Sequence, residues 1–197
     1  MTGKGATSYR EQNNVPLIVR HPAHAGRKRC KAVTTHLDLA RTLVSLTAGD
    51  PAKKAEVAAA LPGKDFSTVL AAPEQAGVDA VRDGQLYCFN MFATLDGDFL
   101  KKASALLAEG GPPKLKASGL HPDMMKRGAI RSVFDGRYQF TRYFSPKQHN
   151  RPTTLEELRH LNDVELYDTQ ADPHEMNNLA ASPGRSQEQV GLPRRSR

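Results

Sequence analysis

An α/β fold is predicted for this chain, and three observations predict it. Two short apolar runs, Val15–Arg20 and Leu86–Phe92, have the β-branched or aromatic content of strands and alternate with segments of helical period. Asp135-Gly136 sits between two alternating runs, the signature of an antiparallel hairpin. The resulting order is strand, helix, helix, strand, helix, hairpin, helix, strand. That order describes the end of an α/β sheet followed by a small antiparallel subdomain carrying a helix. Residues 1–125 are assigned to the α/β part, which is incomplete, and 126–181 to the small antiparallel subdomain. Residues 182–197 form a basic tail whose only large aliphatics are Val190 and Leu192, too few to order it. No internal repeat is visible.

Each element has a local cause. Val15–Val19 reads as a buried strand of a parallel sheet, entered at Pro16 and bounded by Pro22. Thr34 or Thr35 can cap a helix that carries Leu37, Leu39, Ala40, Leu43, Val44 and Leu46, with Asp38 in its first turn and Gly49 past its end. Pro51 opens a second, Ala-rich helix that runs to Leu61 and is closed by Pro62-Gly63. Leu86–Phe92 reads as a buried strand, with Cys88 in the core. A helix from Phe99 to Ala108 stops at Gly110-Gly111-Pro112-Pro113, and a polar connection follows through His121. Ala129–Phe134 and Arg137–Phe144 are the arms of the hairpin. Thr153 or Thr154 caps the helix Leu155–Leu161, where Glu157 completes a capping box with Thr154. Val164–Tyr167 is the last strand, ahead of an Asp172-Pro173 turn.

Composition narrows the class. With 197 residues, 39% of them hydrophobic and 25% charged, the chain is neither disordered, collagenous nor membrane-like. A chain of this size removes roughly 70% of its extended surface from water on folding, so its core needs no disulfide or metal staple. No apolar run reaches the ~18 residues of a spanning helix, and no membrane partner is expected. Met1-Thr2-Gly3-Lys4-Gly5 does not begin a signal peptide. The compartment, cytoplasmic or periplasmic, is left open, as are the oligomeric state and whether Met1 is the natural start.

The net charge of +7 comes from two places: Arg27, Lys28, Arg29 and Lys31 supply +4, and the tail from Ser182 supplies +3. Specific nucleic-acid binding is not expected, because no RNP-like aromatic motif, zinc finger or GXXG clamp accompanies these charges. Cys30 lies among cations that favour its thiolate, although an inert loop thiol is the expectation. Two such cysteines support neither a disulfide nor a zinc site.

Residue chemistry alone leaves an incomplete site. Gly3-Lys4-Gly5-Ala6-Thr7-Ser8 lacks the preceding strand and glycine of a P-loop, which leaves Lys4 as a point charge able to meet an anion. His36 and Asp38 are two apart and cannot share a helix face, so they form no metal pair; His36 can still line a cleft. His21 and His24 stand in a Pro-containing loop within reach of a substrate. Asp96 and Asp98 flank Gly97 without the rest of an EF-hand. No metal-ligating set and no nucleophile elbow are present.

Several segments, in order, carry a resemblance. They are Gly3-Lys4 with Tyr9; Val15-Pro16-Leu17-Ile18-Val19; His36-Leu37-Asp38-Leu39-Ala40 with Thr42-Leu43; and Leu61-Pro62-Gly63-Lys64-Asp65. Further on come Arg131 with Asp135-Gly136-Arg137-Tyr138, and Glu165-Leu166-Tyr167-Asp168 with Asp172-Pro173-His174-Glu175-Met176-Asn177-Asn178-Leu179. Together they resemble the C-terminal part of the sulfatase family, of the alkaline-phosphatase-like superfamily, from Gly3 to about Ala180. The resemblance implies hydrolysis of a small sulfate-ester substrate by a formylglycine beside a divalent cation, with calcium the first choice. It also implies that Lys4 contacts the sulfate; His36 and His24, from the residue reading alone, are weaker substrate-binding candidates.

The formylglycine motif, Cys/Ser-x-Pro-x-Arg, has only near misses here, Ala181-Ser182-Pro183-Gly184-Arg185 and Gly191-Leu192-Pro193-Arg194-Arg195. In the family the nucleophile and the metal-binding acids precede the Gly-Lys segment, so this chain alone is expected to be inactive and to hold no metal. Arg41 stands where relatives commonly have Pro, and Arg10-Glu11-Gln12-Asn13-Asn14 where acidic residues are frequent. Two alternatives remain: a phosphonate or phosphate monoester hydrolase of the same superfamily, or a small polyanion-binding module acting through Arg27–Lys31 and the Arg-rich tail.

Overall fold

The computed structural model describes residues 7–24, 26–90, 96–148 and 151–181. In chain order the elements are α1 (Arg10–Asn13), α2 (His36–Leu46), α3 (Pro51–Ala59), a 3-10 turn (Ser67–Ala71), β1 (Gln85–Phe89), α4 (Gly97–Ala117), β2 (Ala129–Phe134), β3 (Tyr138–Phe144), α5 (Leu155–Leu161), β4 (Asn162–Asp168) and a 3-10 turn (Leu179–Ala181). The fold is mixed α/β, with one four-stranded antiparallel sheet in the order β1-β2-β3-β4. No described helix is long and apolar enough to cross a membrane.

The chain divides into two compact units. One contains the chain up to Asn13, Tyr87–Ser132 and Gln139 onward; the other contains Asn14–Leu86 and Val133–Tyr138.

In the first unit the buried apolar side chains are Ala103, Ala129, Ile130, Phe144, Leu166 and Tyr167. Asp96 accepts from Lys126 Nζ at 2.6 Å and from the Asp123 N–H, and it caps α4 through the Phe99 N–H. These donors, Lys126 foremost, hold its carboxyl well below the ordinary carboxylate range. The predicted stop in α4 is found as a break: Gly110 leaves the helical region and Gly111 has φ 67°. The connection expected beyond it is instead helical again, because Pro112 and Pro113 fall in a new first turn, where the missing N–H groups do no harm. Thr154 and Glu157 form the expected capping box of α5.

In the second unit Val33, Phe66 and Val81 are buried. The loop between β2 and β3 has three residues, Asp135 to Arg137, in place of a two-residue turn. The Asp135 carboxylate accepts the N–H groups of Arg137 and Tyr138 at 2.8 and 2.7 Å. Gly136 has φ 99°, and a Cβ there would collide with Val78, so glycine is required twice over.

Two strand expectations need correction. Val15–Val19 forms no strand: none of its backbone groups has a hydrogen-bond partner among the described residues, and Ile18 is 89% exposed. A fully apolar strand needs neighbours on both edges and both faces, and among the described residues these have no paired neighbour. β1 is an edge strand of alternating exposure rather than a buried one, and Cys88 is exposed rather than in the core. Residues 91–92 of the expected strand fall outside the described residues.

Candidate functional site

Lys4 and the Gly3-Lys4 segment lie outside the described residues, but the segment that follows is fixed in detail. Ser8, buried, bonds through its hydroxyl to Thr141, which donates to Ser132 at 2.9 Å. The Ser8 carbonyl accepts from the Gln139 amide and from Asn13 Nδ2 at 2.7 Å. The Tyr9 ring packs on Tyr167 with centroids 6.1 Å apart. The Arg10 N–H, first in the single turn α1, donates to Glu175 Oε2 at 2.8 Å. The backbone leaving Ser8 is therefore pinned through side chain, carbonyl and amide at once.

Beneath this segment lies a cluster of phenols and carboxyls. Tyr143 donates its hydroxyl to Glu165 Oε2 at 2.9 Å, and Tyr9 also bonds Glu165. Burial raises the Glu165 carboxyl above its usual range, against the pull of the two hydroxyls. Burial, then the charge of Glu165, pushes Tyr143 and Tyr167 above an ordinary phenol. Glu175 is 5% exposed; it holds φ 53°, a left-handed value rare outside glycine, and its second oxygen, Oε1, has no hydrogen-bond partner among the described residues. Burial raises its carboxyl too, opposed by the Arg10 N–H and aided by Glu11 and Glu165. Chemically the cluster fixes backbone, through Glu175 on the Arg10 N–H and the Gln139 and Asn13 amides on the Ser8 carbonyl.

The second unit holds a different carboxylate. Asp38, fully buried at the third position of α2, takes the N–H of Thr35 at 2.8 Å and of Lys64 at 2.7 Å, and both Nε and a terminal nitrogen of Arg82. Burial alone would raise it, but Arg82 and the two amides overcome that and lower its carboxyl. A Cβ at Gly63 would overlap the Leu37 carbonyl, so only glycine lets the Pro62-Gly63-Lys64 loop come so close. Arg41 donates to the carbonyls of Leu61 and Gly63, and buried Thr42 accepts the Phe66 N–H at 3.0 Å. Asp38 thus serves as a latch between α2, this loop and Arg82. Its first-turn position is legible in the sequence; its partners are not.

The two histidine candidates are not brought together. His36 is exposed at the first residue of α2 with no partner among the described residues. His24 is half-buried, with its ring 4.9 Å from that of His21, whose Nδ1 accepts the Ala23 N–H at 3.2 Å. Among the described residues no group of three or more His, Cys, Asp or Glu side chains could hold a metal ion. Sequence reasoning misses Tyr143, Glu165 and Glu175 as a cluster. Their signal is present, since Tyr143 alternates in the hairpin and Glu165 and Glu175 lie in the two closing segments, but only the sheet register shows that they meet. No protein-family model, curated protein or solved structure matches this chain.

Proposed function

We propose that the chain is the C-terminal portion of a sulfatase-like hydrolase of sulfuric esters, in an alkaline-phosphatase-like domain. In this reading its own part is to present Lys4 to the sulfate, while the formylglycine and the divalent cation, which would supply nucleophile and Lewis acid, come from residues other than those described. The observation that carries the reading is the apolar surface left without a cover. Val15, Leu17 and Val19 are 44–48% exposed beside the more exposed Ile18. In addition, α2 buries Asp38 and Thr42 while leaving Leu37 and Leu43 outside, 58% and 62% exposed. The helix half-buries Leu39, Val44 and Leu46 on its inner side, so Leu37 and Leu43 form a second apolar side that an ordinary surface helix lacks. An exposed run of four large apolar side chains calls for a further layer of protein, and a parallel sheet beside Val15–Val19 would be one.

The Ser8–Arg10 anchor supports the reading only as far as it fixes the chain four residues beyond Lys4, since a group helps a transition state most when it is preorganised. The test begins with the coding frame ahead of Met1. It should continue into a Cys/Ser-x-Pro-x-Arg motif, and the longer protein should hydrolyse a chromogenic aryl sulfate, with turnover falling about a hundredfold in Lys4→Ala. Turnover of that substrate by the 197-residue chain alone, equal in the Lys4→Ala variant, would overturn the reading. Preference for a phosphate or phosphonate monoester would move the activity within the superfamily and reject a sulfate ester.

A further inference from the structure

We propose that the loop from Arg20 to Lys31 is a binding surface for a linear sulfated polysaccharide. The inference does not rest on the sulfatase reading. From Gln12 to Leu37 the chain contains no acidic residue, yet it carries Arg20, Arg27, Lys28, Arg29 and Lys31. All five are exposed, and among the described residues none makes a hydrogen bond, an ion pair or a ring contact. Outside the loop several cations are held by acids: Arg82 by Asp38, Lys126 by Asp96, Arg127 by Asp163, and Lys114 by Glu109. Five unneutralised cations within twelve residues repel one another and gain by condensing on a polyanion, releasing its counterions.

The choice among polyanions follows from what surrounds the charges. Between Arg10 and Asp65 there is no Phe, Tyr or Trp, and the His21 and His24 rings lie against each other with centroids 4.9 Å apart, so the loop lacks the large aromatic platforms that usually support single-stranded nucleic acid. The described loop contains no helix or strand to enter a duplex groove. An anionic bilayer would draw in the neighbouring Val15–Val19 run with its backbone groups unpaired, which hydrocarbon penalises steeply at every group. A polymer read by charge density alone, with anionic groups repeated along a flexible chain, makes none of these demands. Arg27, at φ 61°, keeps a left-handed backbone although its side chain makes no hydrogen bond or ion pair among the described residues, as a loop shaped for a partner would.

The experiment is a titration of the 197-residue chain with a size-defined heparin oligosaccharide, a duplex and a single-stranded DNA of matched charge, and phosphatidylserine vesicles. Heparin should bind at low salt, with log K falling by roughly 3 to 4 for each decade of salt. R27Q/K28Q/R29Q/K31Q, whose replaced side chains make no hydrogen bond or ion pair among the described residues and whose fold is checked by circular dichroism, should bind at least about thirtyfold more weakly. A second variant with Arg185, Arg194, Arg195 and Arg197 changed to Gln should stay within about twofold of the unchanged chain. No heparin binding, binding indifferent to the loop substitutions, or binding lost with the tail arginines would each overturn the proposal. So would equal or tighter binding to either DNA or to the vesicles.

Discussion

Asp38 and Glu175 are both almost wholly buried carboxylates, one in each compact unit, and their chemistry runs in opposite directions. Asp38 receives four hydrogen bonds, two of them from Arg82, and is held ionised. Glu175 receives one backbone N–H on one oxygen, leaves the other bare among the described residues, and is pushed toward its neutral form. Burial is common to both, so it is the number and charge of the donors that decides the state of the acid. The surroundings differ as well: the donors to Asp38 bind a helix to a loop and to Arg82, whereas Glu175 closes a small polar interior around Ser8–Asn13.

The sharpest way to break this comparison is to remove the satisfied acid. Asp38→Ala should lower stability by about 3 to 5 kcal/mol, because it strands Arg82 and frees the Lys64 loop; a urea midpoint close to wild type would mean that the latch is idle. The pH dependence has the matching sign. With the folded carboxyl lowered, this stability is present above the unfolded value of 3.8 and is lost as pH falls through the folded value.

Tyr143→Phe is a smaller change, removing one hydroxyl donor to Glu165 while Tyr9 keeps its own. A loss of about 1 kcal/mol is expected, read from the same denaturation curves.

The smallest effect belongs to Glu175→Gln, which keeps an oxygen for the Arg10 N–H. Because the folded carboxyl is raised, the folded chain binds more protons than the unfolded one above pH 4.5, and stability declines as pH climbs through the folded value. The Gln variant should show a flatter decline in melting temperature over that interval. An identical slope would place the titration elsewhere, with Glu165 the next group to replace.

Much of the local fold is legible in the sequence. Thr35 with Asp38, Pro51, and Thr154 with Glu157 set helix starts through chemistry confined to one turn, and Asp135-Gly136 fixes the hairpin. Contacts between distant segments are not legible. Arg82 is 44 residues from Asp38, and Glu175 is 165 from Arg10; no spacing rule connects them. Val15–Val19 shows the opposite failure, since its apolar pattern is correct for a strand, but a strand exists only with a partner to pair it. The exposure of Cys88 escapes for a related reason: an apolar run does not say which strand will stand at the edge of the sheet.

The contrast between a paired and an unpaired region is tested most directly by amide hydrogen exchange, comparing Val15–Val19 with the hairpin arms Ala129–Phe134 and Tyr138–Phe144. The hairpin amides that donate within the sheet should exchange slowly, and the four non-proline amides of Val15–Val19 should exchange at nearly the rate of an unfolded peptide. Protection in that run equal to that of the hairpin would show it already paired, and the proposal that it awaits the rest of a sheet would fall.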